Sequence, residues 1–165
     1  KSLSPSQERF DTIIGRTTQI YGRLVLLDSV RFDGKVVRAQ GRAASGVAGI
    51  NLSEGVKAIY FGQVLDDTVD TIITAANSST ALAGTDAGTV KLSLASEFPM
   101  KGRATGGVRG HKMLRNEDQL YFAAVVNGTP AALATDGKPI ELPEPAKRDA
   151  SGNALQASIG GVGTL

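Results

Sequence analysis

Lys101-Gly102-Arg103-Ala104-Thr105-Gly106-Gly107-Val108-Arg109-Gly110 concentrates glycine and positive charge, and a relative of it lies sixty-one residues earlier as Gly41-Arg42-Ala43-Ala44-Ser45-Gly46-Val47-Ala48-Gly49. Laying Gly41 to Val64 on Gly102 to Val125 without a gap gives nine identities in twenty-four positions, ending in Tyr60-Phe61 against Tyr121-Phe122. That is more than chance supplies, so the chain is a repeat. The tyrosine–phenylalanine pair falls in the most apolar run of each unit and is expected in the core.

The residues between and around the two copies are short β-branched runs broken by glycine and acidic turns. Twenty glycines stand against eight aromatics in 165 residues, which describes many short strands rather than packed helices. The first unit holds Thr12 to Ile14, Thr17 to Tyr21 and Leu24 to Leu27, a turn at Asp33-Gly34 and a returning strand Lys35 to Arg38. After its glycine motif come Ile50 to Leu52, the turn Ser53-Glu54-Gly55 and a strand over Val56 to Val64. The second unit repeats the order with Val69 to Ala76, Ser79 to Ala83, a turn at Asp86-Ala87-Gly88 and a strand Thr89 to Leu94. A third, degenerate unit opens at Asn127-Gly128, runs through Ala131 to Thr135, the Asp136-Gly137 turn and Pro139 to Leu142, and decays at Arg148 to Gly152. Units of roughly 50 to 60 residues with four short strands apiece are expected to stack as propeller-like blades, since one unit cannot bury its own faces. Residues 1–11 read as a linker or entry segment, 12–155 as two full blades and a degenerate third, and 156–165 as a tail.

Composition narrows the function. With no cysteine there is no disulfide framework, thiolate metal site or thiol nucleophile, which favours an intracellular chain. The apolar runs fall short of a membrane span, and Lys1 to Pro5 lacks the apolar core of a signal peptide, so the expectation is a soluble chain cut from a longer one. The net charge of +2 says little, but its distribution does: residues 99–115 carry five Lys or Arg and no acid, whereas residues 43–98 carry two cations and six acids.

The glycines of the motif serve backbone geometry, in bulges or close approaches, without any need for a ligand. The arginines need another account. Arg42 and Arg103 share one register, and Lys101, Arg109, Lys112 and Arg115 join Arg103 with no local acid. Such a run either solvates a surface or meets phosphate, where its value is the summed release of counterions. It is not a P-loop or a dinucleotide fingerprint, because no Gly-Lys-Ser/Thr and no helix follow. His111 is the sole histidine and excludes a multi-histidine metal site; it reads as a surface strand residue beside Arg109 and Lys112. Asp66-Asp67 and Glu117-Asp118 read as turn acids. The sequons at Asn51, Asn77 and Asn127 read as coincidences in turns.

The pattern Gly-Arg-Ala-x-x-Gly-Val-x-Gly, followed by an apolar stretch, a polar turn and a strand, resembles the blade motif in the C-terminal domain of the A subunit of bacterial type IIA topoisomerases, DNA gyrase and topoisomerase IV. Lys101 to Asp118 with Lys147 to Gly152 looks most like the last blades of actinobacterial-type A subunits. The resemblance covers about residues 12–155. It implies an all-β β-pinwheel, propeller-like and built of four-stranded blades that exchange a strand, here a partial array. It implies non-specific binding, bending or wrapping of duplex DNA on a basic rim, with no catalytic activity in this segment and no catalytic or metal-binding residue. Carried over to this sequence, the DNA-binding candidates are Lys35, Arg38 and Arg42 in the first unit and Lys101, Arg103, Arg109, Lys112 and Arg115 in the second. The implied parent is an ATP-dependent, Mg2+-requiring enzyme of the cytoplasm. Its implied partners are duplex DNA, the other domains of the same chain, and the ATPase B subunit, with no membrane. The gyrase-specific heptapeptide Gln-Arg-Arg-Gly-Gly-Lys-Gly does not occur in these residues. The competing reading is a structural or protein-binding β-repeat module; a third is an enzyme using His111.

Overall fold

In the computed structural model the described residues are 50–82, 86–99, 101 and 104–165, with 23–26 and 30–33 described by their backbone. Ten strands follow one another: β1 (Arg23–Leu26), β2 (Val30–Asp33), β3 (Phe61–Val64), β4 (Thr71–Asn77), β5 (Thr89–Leu94), β6 (Gln119–Val126), β7 (Pro130–Ala134), β8 (Pro139–Ile140), β9 (Asn153–Ala154) and β10 (Ile159–Thr164). They form three antiparallel sheets with the orders β2-β1-β3, β6-β4-β5-β9 and β10-β7-β8. Each sheet obeys one rule. Two consecutive strands make a hairpin, the chain then makes a long excursion, and the next long strand returns to the free edge of the first hairpin strand. β3 returns to β1, β6 to β4 and β10 to β7. Asp33, expected in the first hairpin's turn, instead lies in β2 and pairs with Arg23.

Turn chemistry places the hairpins. Between β4 and β5, Asp86 Oδ1 accepts the Gly88 N–H at 2.8 Å, and Gly88 takes φ +68, which an L side chain rarely adopts. A Cβ there would stand 1.9 Å from the Ala76 carbonyl oxygen. Ser79 and Thr80, expected to open a strand, form a turn instead. The cause is Asp118, whose carboxylate accepts the Ser79 N–H and Oγ–H, each at 2.6 Å, and so draws that segment out of the ladder. The strand expected over Val56 to Val64 begins only at Phe61. The stretch 156–165, read as a tail, contains β10, which pairs with β7 along its length. Lys35 to Arg38, Gly34 and the first glycine motif lie outside the described residues.

The central sheet is covered on both faces, so β4 is buried from Thr71 to Ala76 without the in-out alternation of a half-exposed strand. On one face Ile72 packs with Val64, Ala95, Phe98 and Ala123; on the other Ile73 and Ala75 pack with Val90, Leu92, Val126 and Ile159. Residues from all three units therefore meet across this sheet. Full burial of each large side chain contributes roughly 1.5–3 kcal/mol. Tyr60 and Tyr121 lie at the borders of these clusters, half-buried, and each uses its hydroxyl on the next unit: Tyr60 Oη accepts the Val125 N–H at 3.2 Å, and Tyr121 Oη accepts the Ile159 N–H at 3.4 Å. The pair expected in the core thus also fixes neighbouring units.

Two further links join units. β9 belongs to the third unit by sequence but pairs with β5 of the second, Thr89↔Ala154 and Val90↔Asn153, and so covers that edge. Gly152 precedes it, where a Cβ would meet Thr89 Oγ1 at 2.5 Å, so the degenerate motif keeps its glycine for close approach. Asp70, at 2 % exposure, accepts the Leu65 and Asp66 N–H groups and the Asn127 Nδ2–H at 2.8 Å, tying the β3–β4 connection to the β6–β7 turn.

Candidate nucleic-acid interface

The face of the central sheet that carries Ile72 changes character along its length. The β4–β5 register sets Thr74 opposite Lys91, and Thr89, Lys91 and Ser93 point to this same face because Val90 and Leu92 point to the other. Its polar half is covered by residues 106–118, which run from the second glycine motif to β6 without forming a strand. Ala104, at the start of this cover, has φ 55, unusual for a residue with a side chain. Thr105 bridges in parallel to Ile50, and its carbonyl accepts the Asn51 N–H at 3.2 Å, so the second motif rests on the residues that follow the first motif. Val108 packs against the Val64 and Phe98 cluster and anchors the segment from below.

That anchoring sorts the cations. Arg109, Lys112 and Arg115 are exposed, and Lys101 is half-buried. Among the described residues none of the three exposed side chains pairs with an acid. Lys35, Arg38, Arg42 and Arg103 lie outside the described residues. His111 overturns its reading as a surface strand residue: it is buried at 5 % exposure, and its segment is not a strand. The reason is a pair of threonine hydroxyls on the sheet beneath. Thr74 Oγ1 lies 2.9 Å from Nδ1 and Thr89 Oγ1 lies 3.4 Å from Nε2. Since the Thr89 hydroxyl donates to Glu117 Oε1 at 2.5 Å, it can only accept from Nε2; in the neutral ring Nδ1 then accepts from the Thr74 hydroxyl, which also lies 3.5 Å from the Lys91 carbonyl. Burial, then the charge of Lys91, push the imidazole pKa down to about 4, with Glu117 acting the other way. At neutral pH the ring is therefore uncharged.

Glu117 is likewise more than a turn acid. It closes the turn from Leu114, but its carboxylate is buried, accepting the Thr89 hydroxyl and the Leu114 N–H at 2.6 Å. Asp118 stays exposed, its carboxyl pKa lowered by its two bonds from Ser79.

Lys91 is the residue that sequence reasoning missed. At 2 % exposure it is the largest fully buried side chain among the described residues, and its ammonium donates to the carbonyls of Gly110, Lys147 and Arg148. Burial first, then the charge of Arg148, lower its pKa to about 8, while Asp149 and Glu97 raise it. Around this ammonium the second and third units meet: the Lys112 N–H donates to the Ala150 carbonyl at 3.0 Å, and Arg148 Nη1 donates to the Arg109 carbonyl. Lys147 and Arg148, remote in sequence, thereby join Arg109 and Lys112 on one surface. Their only sequence signal was a pair of cations just before the decayed third motif. No helix among the described residues is long and apolar enough to cross a membrane.

Known proteins share this architecture. The chain is similar to the crystal structure of the C-terminal domain of DNA topoisomerase IV, with a TM-score of 0.61 and 20% sequence identity, covering 85% of this chain and 45% of that one. That likeness concerns the fold. In sequence the chain is 35% identical over 98 residues to the A subunit of DNA gyrase from Salmonella typhimurium, a match spanning 59% of this chain and 10% of that protein. Residues 30–65 and 80–127, half of the chain, match the family model of the DNA gyrase C-terminal domain, a β-propeller. The repeat of glycine-bearing units, the returning strands and this match together place the chain in the family of DNA gyrase A C-terminal β-propeller (β-pinwheel) domains.

Proposed function

We propose that this chain binds the sugar–phosphate backbone of duplex DNA, without sequence preference, as the accessory C-terminal part of the A subunit of a type II DNA topoisomerase. The observation that carries the reading is the shared surface of two units, where Arg109 and Lys112 stand beside Lys147 and Arg148 over a common backbone junction. Arg115 extends it three residues further on. Phosphate contact by several cations acts as a summed, salt-sensitive term, and a bent or wrapped duplex needs such contacts spread along a rim. One cluster per unit junction fits that need better than a single deep pocket does. Arg42 and Arg103 are assigned to the same rim by their shared place in the repeat, and Lys35, Arg38 and Lys101 by their nearness in sequence to the two motifs.

In this reading the segment has no catalysis of its own. The ATP and Mg2+ of the parent enzyme are assigned, in the same reading, to its other domains. Three further expectations follow from the same assignment: a cytoplasmic location, association with the rest of the parent chain, and association with the ATPase B subunit.

The test is fluorescence anisotropy with a labelled mixed-sequence duplex at low salt. The double substitution Arg109→Gln/Lys112→Gln is expected to weaken binding several-fold while leaving the circular dichroism spectrum unchanged, because both side chains are exposed. Wild-type and doubly substituted chains binding equally well would remove this surface from the interface. No binding by the wild type would favour a structural or protein-binding β-repeat module.

A further inference from the structure

A buried lysine is expensive to keep: its ammonium leaves water, and an apolar side chain of similar length would pack the site without that cost. Lys91 is therefore informative through what it holds. Its three N–H donors meet three backbone carbonyls, those of Gly110, Lys147 and Arg148, from two repeat units. Each carbonyl belongs to or adjoins a residue of the cationic surface: Gly110 lies between Arg109 and Lys112, and the other two are Lys147 and Arg148 themselves. The bonds from Lys112 N–H to Ala150 and from Arg148 Nη1 to Arg109 span the same junction, and the Ala146 N–H, which donates to the Leu92 carbonyl at 2.8 Å, backs it beside Lys91.

We propose that Lys91 is a positioning residue for DNA binding: its buried ammonium clamps the 109–112 and 147–150 segments together and so sets the spacing at which their cations meet consecutive phosphates. The inference rests on the DNA-binding reading above. It also says what kind of contact this is, a composite site completed only where two units touch, rather than two independent cationic loops. The groups facing Lys91 are Arg148 and Asp149 from the third unit, Glu97 from the 3-10 turn Ala95–Glu97 after β5, and neutral His111 with Glu117 from the covering segment.

Two measurements test it. In the first, Lys91→Met is compared with wild type for duplex affinity and for the slope of log K against log salt. The clamp predicts a slope smaller by about one, equivalent to roughly one fewer phosphate engaged, and an affinity several-fold lower, although no exposed cation has been removed. A folded Lys91→Met chain with wild-type affinity and slope would overturn the proposal, provided Arg109→Gln/Lys112→Gln still weakens binding. The second uses unsubstituted protein, N-terminally acetylated to silence the α-amine, and follows binding from about pH 7 to about pH 9, the range in which Lys91 gives up its proton. The slope is expected to fall across this range; a constant slope would overturn the clamp even if Lys91→Met did not fold. A wild-type chain that binds no DNA would instead remove the reading on which the proposal stands.

Discussion

Acidification should cost this chain stability at His111 in particular. His111 is buried against Thr74 and Thr89, and its pKa falls from 6.5 to about 4 in the folded state. The folded pKa therefore lies below the unfolded one. Between pH 6.5 and pH 4 the unfolded chain takes up a proton that the folded chain refuses, so stability rises with pH across that window and is lost as pH falls through it. A separation of about 2.5 units at 1.36 kcal/mol per unit corresponds to about 3 kcal/mol. Desolvation is the largest cause, the charge of Lys91 acts in the same direction, and Glu117 opposes both. His111→Gln keeps an amide that can meet both hydroxyls but does not titrate. Urea unfolding of the two chains at steps across this range gives the difference between them, in which the exposed carboxylates common to both cancel. The wild type is expected to lose about 3 kcal/mol relative to His111→Gln on going from the top of the window to the bottom. A difference that stays constant with pH would refute the buried, neutral histidine.

The remaining predictions concern the scaffold. Gly88→Ala places a Cβ against the Ala76 carbonyl at a positive φ and should destabilise the chain by more than about 1 kcal/mol, whereas Gly55→Ala, also at positive φ but in open space, should cost less. Equal losses in denaturant unfolding would contradict the crowding at Gly88. Ser93 Oγ is buried with no hydrogen-bond partner among the described residues, so Ser93→Ala should leave stability unchanged or raise it by about 1 kcal/mol. A clear loss of stability on that substitution would show that the hydroxyl has a partner.

How much of this was legible in the chain follows from the range of each interaction. The repeat could be read because two glycine motifs share a register and because turns such as Asp86 to Gly88 are written in adjacent residues. Ser79 was misread because the group that bends it, Asp118, lies far along the chain. The pairing of β9 with β5 could not be read either, since two residues carry no periodicity and the strand was claimed by the neighbouring unit. The same holds for the site. Exposure of Arg109, Lys112 and Arg115 follows from an acid-free, glycine-rich stretch, but the burial of Lys91, His111 and Glu117 depends on which face of β5 the covering segment lands on. A lysine in a strand reads as a solvent-facing residue until three carbonyls are found around its ammonium.

The central claim, that cations from neighbouring units act together on DNA phosphates, is tested most directly by the salt dependence of binding. Affinity for two duplexes of unrelated sequence, measured from about 50 to about 200 mM salt, should give parallel lines of log K against log salt with a slope of about −3 or steeper, for three or more of Arg109, Lys112, Arg115, Lys147 and Arg148 engaged at once. A flat line, or a slope near −1, would contradict it.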